Sequence, residues 1–181
     1  MPRYAAFLRA VNLGSHKKVA MTDLRATAEA LGFHRPQTLL QTGNLVFDSP
    51  LASAARAESR LEQGLAAELG LETECYVRTP GELDAIVAAN PYPGMARDDP
   101  AHLVVMLFRA RLAPSAVKAL AGAIRGRETV AAEGRTLYLT YPDGIGTSKL
   151  TPAVIARHLG VPGTGRNWNT LLKVQAAATA D

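Results

Sequence analysis

The order of apolar segments in the first 79 residues is the feature that most restricts how this chain can fold. Short apolar runs typical of buried strands alternate with longer stretches that carry an apolar stripe at helical spacing. The predicted order is strand, helix, two strands, helix and strand, at RYAAFLRAV, TDLRATAEALGF, TLLQT, NLVFD, LASAARAESRLEQGLAAEL and ETECYVRT. This is the split βαβ, ferredoxin-like order, in which right-handed crossovers place both helices on one sheet face.

Turn and capping residues support several of these boundaries. Thr22 is placed to cap the first helix, with Asp23 in its first turn, and Gly32 is placed to end it. Gly43 and Asn44 tolerate positive φ, so they favour a tight hairpin between TLLQT and NLVFD.

Residues 101–181 repeat most of this order without repeating the residues. Strands are predicted at HLVVMLF, ETVAAE and RTLYLTY, and helices at APSAVKALAGAI and TPAVIARHLG. In TPAVIARHLG, Thr151 is placed to cap the helix, with Pro152 at its first position and Gly160 at its end. A final helix, NTLLKVQAAATA, is predicted where the first half has its fourth strand.

The predicted fold class is therefore α+β. It has two ferredoxin-like halves, residues 1–79 and 101–181, with antiparallel sheets covered by helices, and the second half carries the C-terminal helix. Residues 80–100 are predicted as a short helix and a proline-rich linker.

Composition narrows the class of protein. The single cysteine, Cys75, excludes an internal disulfide and a cysteine-built zinc site, and the four histidines show no metal spacing. We therefore expect no metal and no cofactor.

The net charge of +4 suits an anionic ligand, but the Lys/Arg clusters of nucleic-acid-binding proteins are missing. No apolar run reaches the ~20 residues of a membrane helix, and no signal peptide is evident, so we expect a cytoplasmic protein without a membrane partner. No feature indicates an oligomeric state.

Two polar segments in the first half carry candidate binding residues. RAVNLGSHKK places Arg9 at the end of an apolar strand, and Asn12 and Lys17 in a loop leading to a helix N-terminus, where backbone N–H groups favour anions. QTGN offers the amide side chains of Gln41 and Asn44. The structural alternatives are a solvated crossover loop and a plain hairpin turn.

GIGTSKL, in the second half, lies between a strand and a helix. Its glycines, Ser148 and Lys149 have the context of a phosphate cradle, although the P-loop spacing is absent. The structural alternative is a flexible connection with a helix cap.

TGRNWNTLLK is the fourth polar segment. Arg166 carries a planar fork suited to phosphate or carboxylate, and Trp168 can wall a pocket, stack on a base or fill the core. Asn167 or Asn169 can cap the final helix, with Thr170 in its first turn.

FLRAVNLGSHKKVAMTDLRATAEALGF, LLQTGNLVFDS, GTSKLT and GVPGTGRNWNTLLK together resemble the bacterial family known as domain of unknown function 1697. The similarity covers nearly the whole chain, in the same order. Where the family reads RGINVGGKNK, this chain has Ala10 and Ser15 in place of glycine and His16 in place of lysine. The resemblance implies a soluble bacterial protein and no particular activity. The positions that match the family motifs are Arg9, Asn12, Gly14, Lys17, Gln41, Gly43, Asn44, Ser148, Lys149, Arg166, Asn167, Trp168, Asn169, Thr170 and Lys173.

The leading hypothesis is a protein that binds a small phosphorylated or otherwise anionic ligand in a cleft between its two halves. The candidate ligand-binding residues are Arg9, Asn12, Lys17, Gln41, Asn44, Ser148, Lys149, Arg166, Asn167, Trp168, Asn169 and Thr170. No pattern specifies a catalytic residue or a reaction type, so enzymatic activity is left open.

Two alternatives remain. A nucleic-acid-binding module shares the ferredoxin-like order, but the aromatic signature of RNA-recognition domains is absent. The other alternative is a protein–protein adaptor in which the polar motifs are purely structural.

Overall fold

Two four-stranded antiparallel sheets form the framework of the chain in the computed structural model, which describes residues 1–11 and 18–180. Contacts divide the chain into unit 1, Met1–Ala85 with Lys173–Asp181, and unit 2, Ile86–Leu172. The fold class is α+β, with two ferredoxin-like halves, as predicted. The more exact domain boundaries proposed from the sequence stay a prediction.

Unit 1 contains the complete β-α-β-β-α-β order. Its elements are β1 Arg3–Leu8, α1 Met21–Ala30, β2 His34–Leu39, β3 Asn44–Asp48, α2 Ala54–Leu69 and β4 Cys75–Arg78. The sheet order is β2-β3-β1-β4, and every neighbouring pair is antiparallel. Leu24 of α1 and Leu61 of α2 are fully buried in one cluster with Leu8 and Phe47 of the sheet, so the apolar stripes of both helices pack on one sheet face.

Two local predictions in unit 1 were wrong. The residue that caps α1 is Ala20, and Thr22 lies inside the helix, although Asp23 is in the first turn as predicted. The second strand is His34–Leu39 and not TLLQT, because Leu40 adopts φ 59° and the chain turns there. The position of β2 is set by its pairing with β3. The apolar pattern of the sequence does not predict this pairing.

An ion-pair cluster joins β1, β2 and β3 at one end of this sheet. The Asp48 carboxylate is paired with Arg3 at 2.9 Å and with Arg35. Burial raises the pKa of Asp48, but the hydrogen bonds from Arg35 and Arg3 outweigh it and hold the pKa of this carboxyl below its usual value. Arg3 also donates to the backbone oxygen of Ala177, which joins the C-terminal segment to β1 within unit 1.

Unit 2 repeats the same order in full. α3, Pro80–Ala88, begins in unit 1 and ends in unit 2. It is followed by α4 Pro93–Asp98, a 3-10 helix at Pro100–His102, β5 Leu103–Leu107, α5 Pro114–Ala123, β6 Thr129–Glu133, β7 Thr136–Thr140, α6 Pro152–Leu159 and β8 Thr164–Asn167. The sheet order is β6-β7-β5-β8. Thr151, Pro152 and Gly160 cap, start and end α6 as predicted.

The fourth strand of unit 2 corrects the sequence prediction, which placed only a helix at this position. β8 pairs antiparallel with β5 from Thr164 to Asn167, and α7, Trp168–Thr179, follows at once. Its four residues, TGRN, have no apolar alternation, so the strand is formed by hydrogen bonding to β5 and not by its own pattern.

None of the helices within residues 1–11 and 18–180 combines the length and the apolar character needed to cross a membrane.

Candidate functional site

A pocket of about 250 Å³ in unit 2 contains two of the predicted site residues, Ser148 and Lys149. It lies where the loop between β7 and α6 meets the segment between α5 and β6. Its lining is Ala123, Ile124, Arg125, Gly126, Glu128, Asp143, Gly144, Thr147, Ser148, Lys149, Leu150 and Val154.

The β7–α6 loop is held by its own side chains. Gly144 has φ 93°, a conformation that glycine adopts without steric cost. The Ser148 hydroxyl accepts a hydrogen bond from the Leu150 N–H at 3.0 Å, and the Tyr141 hydroxyl donates to the Leu150 carbonyl at 2.9 Å. Thr151 then caps α6. These contacts place Ser148 and Lys149 at the edge of the pocket before α6 begins.

Both acidic residues of the pocket are engaged by neighbours. The Ser148 hydroxyl donates to Glu128 Oε1 at 2.6 Å, and this hydrogen bond lowers the pKa of Glu128. Arg127 forms an ion pair with Asp143, with Nε 2.9 Å from Oδ2, and its hydrogen bonds lower the pKa of Asp143. Both groups are therefore carboxylates at neutral pH, and each already has a donor.

The two cations that line the pocket are not engaged in this way. Arg125 and Lys149 are exposed, and within the described residues neither has an ion-pair or hydrogen-bond partner. The positive charge left without a protein partner at this pocket can hold a phosphate or a carboxylate through charge-assisted hydrogen bonds.

In unit 1 the structure brings the QTGN turn against the end of β1. The Leu8 N–H donates to the Gly43 carbonyl at 2.8 Å. The Asn44 side chain is fully buried, and its amide donates to the Leu39 carbonyl at 2.9 Å. Asn44 therefore holds the turn in place, whereas Gln41 is exposed on it.

Arg9 lies beside carboxylates. Its guanidinium is 3.7 Å from the Glu74 carboxylate, and it lines a pocket of about 420 Å³ together with Glu62, Glu72 and Glu74. An anion would meet repulsion from these side chains, so this surface suits an anionic ligand less well than the pocket of unit 2. Asn12 and Lys17, also predicted for this region, lie outside the described residues.

Ala10 adopts φ 54°, the left-handed conformation that glycine favours. RGINVGGKNK, the motif that this segment resembles, has glycine at this position. The end of β1 therefore keeps a glycine-like backbone although this chain carries alanine.

Arg166 belongs to a different surface from Ser148 and Lys149. It lies opposite Val105 in the sheet, whereas the adjacent Met106 packs in the core cluster formed with α5 and α6. Since side chains alternate along a strand, Arg166 projects from the sheet face that α5 and α6 do not cover. Its guanidinium donates to Thr164 Oγ1 at 2.8 Å, and burial lowers its pKa to about 10, so it stays protonated at neutral pH.

The start of α7 confirms the capping interpretation of TGRNWNTLLK. Asn167 Oδ1 accepts the Thr170 N–H at 2.9 Å, and Asn169 is exposed. Trp168 is only 6% exposed, so it is a packed side chain and offers no open surface for stacking a base.

The sequence analysis did not select Arg125 and Glu128. The signal was present as the charged run RGRE between the last helical residues of α5 and the start of β6. It also did not select Arg78, a 1% exposed side chain at the end of β4. Across residues 1–11 and 18–180, no three His, Cys, Asp or Glu side chains are grouped to hold a metal ion.

Comparisons with known proteins identify a family and a fold. The family model described as "Protein of unknown function (DUF1697)" matches residues 1–138. A solved structure of a conserved bacterial protein from Streptococcus pneumoniae is similar with a TM-score of 0.70 and 22% identity, covering 99% of each chain. This similarity shows the fold alone. No curated protein matches the chain.

Proposed function

Because the chain belongs to the DUF1697 family, whose description names no activity, we propose from its geometry that it binds a small phosphorylated or otherwise anionic ligand in the pocket of unit 2. The observation that carries the proposal is the positive charge at this pocket that is not paired with a carboxylate of the protein. Glu128 and Asp143 are each held by a donor, whereas Arg125 and Lys149 have no ion-pair partner among the described residues.

The surroundings of these cations favour binding. Ile124, Leu150 and Val154 form an apolar wall, and an apolar wall strengthens the attraction between opposite charges by excluding water. Thr147 is exposed at the rim and adds a hydroxyl. Arg125 offers a planar pair of donors and Lys149 a compact charge, so together they suit the several oxygens of a phosphate group.

The test is isothermal titration of the full chain with inorganic phosphate, a sugar phosphate and a nucleoside monophosphate. Lys149→Ala and Arg125→Ala are each expected to weaken binding about tenfold or more, since a hydrogen bond to a charged group contributes about 1.5–3 kcal/mol. Lys118→Ala is the matched control, because it removes the same charge from an exposed position of α5 outside the pocket. Equal affinity in all three variants, or no binding of any probe by the wild type, would contradict the proposal.

Burial of the aromatic side chains supports a small ligand over a nucleic acid. Phe7 on β1 and Phe47 on β3 are fully buried, so these two strands do not present them as exposed rings of the kind on which RNA-recognition domains stack bases. Trp168, at the start of α7, is nearly buried as well. An oligonucleotide included in the same titrations tests this alternative. Binding that weakens steeply with salt would favour the nucleic-acid module.

A further inference from the structure

The pocket of unit 2 contains a carboxylate that a site for a simple anion would not need. Asp143 is neutralised by its ion pair with Arg127. Among the described residues Glu128 has no cationic partner. The side chain that donates to its carboxylate is the neutral hydroxyl of Ser148, which bonds to Oε1. A negative charge therefore stays in the same pocket as Arg125 and Lys149.

The second carboxylate oxygen of Glu128 lies over a glycine. A Cβ atom placed on Gly126 would be 2.4 Å from Glu128 Oε2 and 3.1 Å from Cδ, so any side chain at position 126 would push the carboxylate away. Gly126 and Glu128 both line the pocket. Glycine at this position thus allows Glu128 to stay where Ser148 holds it.

We propose that the pocket selects a small zwitterion, whose anionic group binds Arg125 and Lys149 and whose ammonium group binds Glu128. This inference rests on the proposed function and names the class of ligand for the same site. A ligand with an ammonium group turns the carboxylate from a source of repulsion into a partner, and charge-assisted hydrogen bonds form at both ends. The apolar side chains that line the same pocket can pack against a short carbon chain.

Two probes that share a phosphate and a two-carbon chain test this selection. O-Phosphoethanolamine carries the ammonium group, and ethyl phosphate lacks it. Titrated into the full chain, O-phosphoethanolamine is expected to bind about tenfold more tightly than ethyl phosphate, the value of one charge-assisted hydrogen bond. Lys149→Ala should weaken both probes by the same factor.

Removing the carboxylate should remove the preference. In Glu128→Gln the two affinities should become equal, with that of ethyl phosphate undiminished. Gly126→Ala should reduce the preference without changing any charge, because it displaces the carboxylate. Glu133→Gln, at an exposed position outside the pocket, is the matched control and should keep the wild-type ratio. Circular dichroism of each variant checks that it is folded.

The outcomes separate the two proposals. If both probes bind the wild type equally, or if the preference survives in Glu128→Gln, the zwitterion inference is overturned and anion binding stands. If neither probe binds the wild type, and none of the anions tested above binds either, both proposals are overturned.

Discussion

Replacing Gly43 by alanine tests whether close packing holds the QTGN turn against the end of β1. Gly43 has φ 81°, and a Cβ atom there would lie 2.9 Å from the Cβ of Leu8 and 3.4 Å from that of Val11. The matched control is Gly32→Ala. Gly32 has φ 84°, and no heavy atom lies within 4 Å of its Cβ position. The two substitutions therefore share the same backbone strain and differ only in packing.

The expected loss follows from these two contributions. Alanine in the left-handed region destabilises the folded chain by about 1–2 kcal/mol. Alanine also has less conformational entropy than glycine in the unfolded chain, and this offsets about 0.4–1 kcal/mol of the loss. Gly32→Ala should therefore lower the free energy of unfolding by about 1 kcal/mol. At Gly43 the contact is with Cβ atoms, which no side-chain rotation can move. Overpacking of this kind adds about 1–3 kcal/mol, so Gly43→Ala should cost about 2–4 kcal/mol in total.

Urea unfolding followed by far-ultraviolet circular dichroism measures both losses. The slope of the free energy against urea concentration should stay unchanged, because neither substitution alters the surface exposed on unfolding. Losses that agree within about 0.5 kcal/mol, the usual scatter of such differences, would refute the argument from packing.

Three further predictions concern stability. Ala10→Gly relieves a left-handed alanine and should stabilise the fold by about 0.5–1 kcal/mol in urea unfolding, whereas Ala67→Gly, on the exposed side of α2, should destabilise it by about 1 kcal/mol. Asn167→Ala removes the cap of α7 and should cost about 1 kcal/mol of thermal stability, and Asn169→Ala at the exposed neighbouring position should leave the midpoint unchanged. Asp48→Asn weakens the ion pairs of a buried carboxylate with Arg3 and with the largely exposed Arg35, and should cost about 1.5–3 kcal/mol at neutral pH. The pKa of Asp48 is lower in the folded than in the unfolded chain, so the carboxylate stabilises the fold above the unfolded pKa of about 3.9 and loses this effect as the pH falls through the folded pKa. The difference in free energy of unfolding between Asp48→Asn and wild type should therefore shrink in acid. A difference that stays constant with pH would contradict this.

Most elements of the fold were predictable because their signals are local. The stripes of α1 and α2, the apolar runs of β1 and β3, and the cap and stop of α6 are each encoded within a few neighbouring residues. β8 was not predicted because its residues TGRN show no strand pattern. They are extended because they pair with β5. β2 was misplaced for a similar reason, since its end is set by the backbone of Leu40 and its pairing with β3.

The candidate site was predictable in part. The composition of GIGTSKL indicated Ser148 and Lys149 as residues of a polar loop beside a helix. It did not indicate Arg125 or Glu128, which lie more than one element earlier in the chain. Conversely, Asn44 and Asn167 belong to polar motifs, but their amides hold the backbone of a turn and a helix start.

Local patterning is thus sufficient for the order of helices and strands in this protein, because periodicity and capping act between residues close in the chain. The distribution of charge at the pocket is a different kind of property. It depends on which groups pair across the fold: Ser148 with Glu128, and Arg127 with Asp143. Those contacts join the segment before β6 to the loop after β7. They pair Arg127 with Asp143, whereas Arg125 and Lys149 have no ion-pair partner among the described residues.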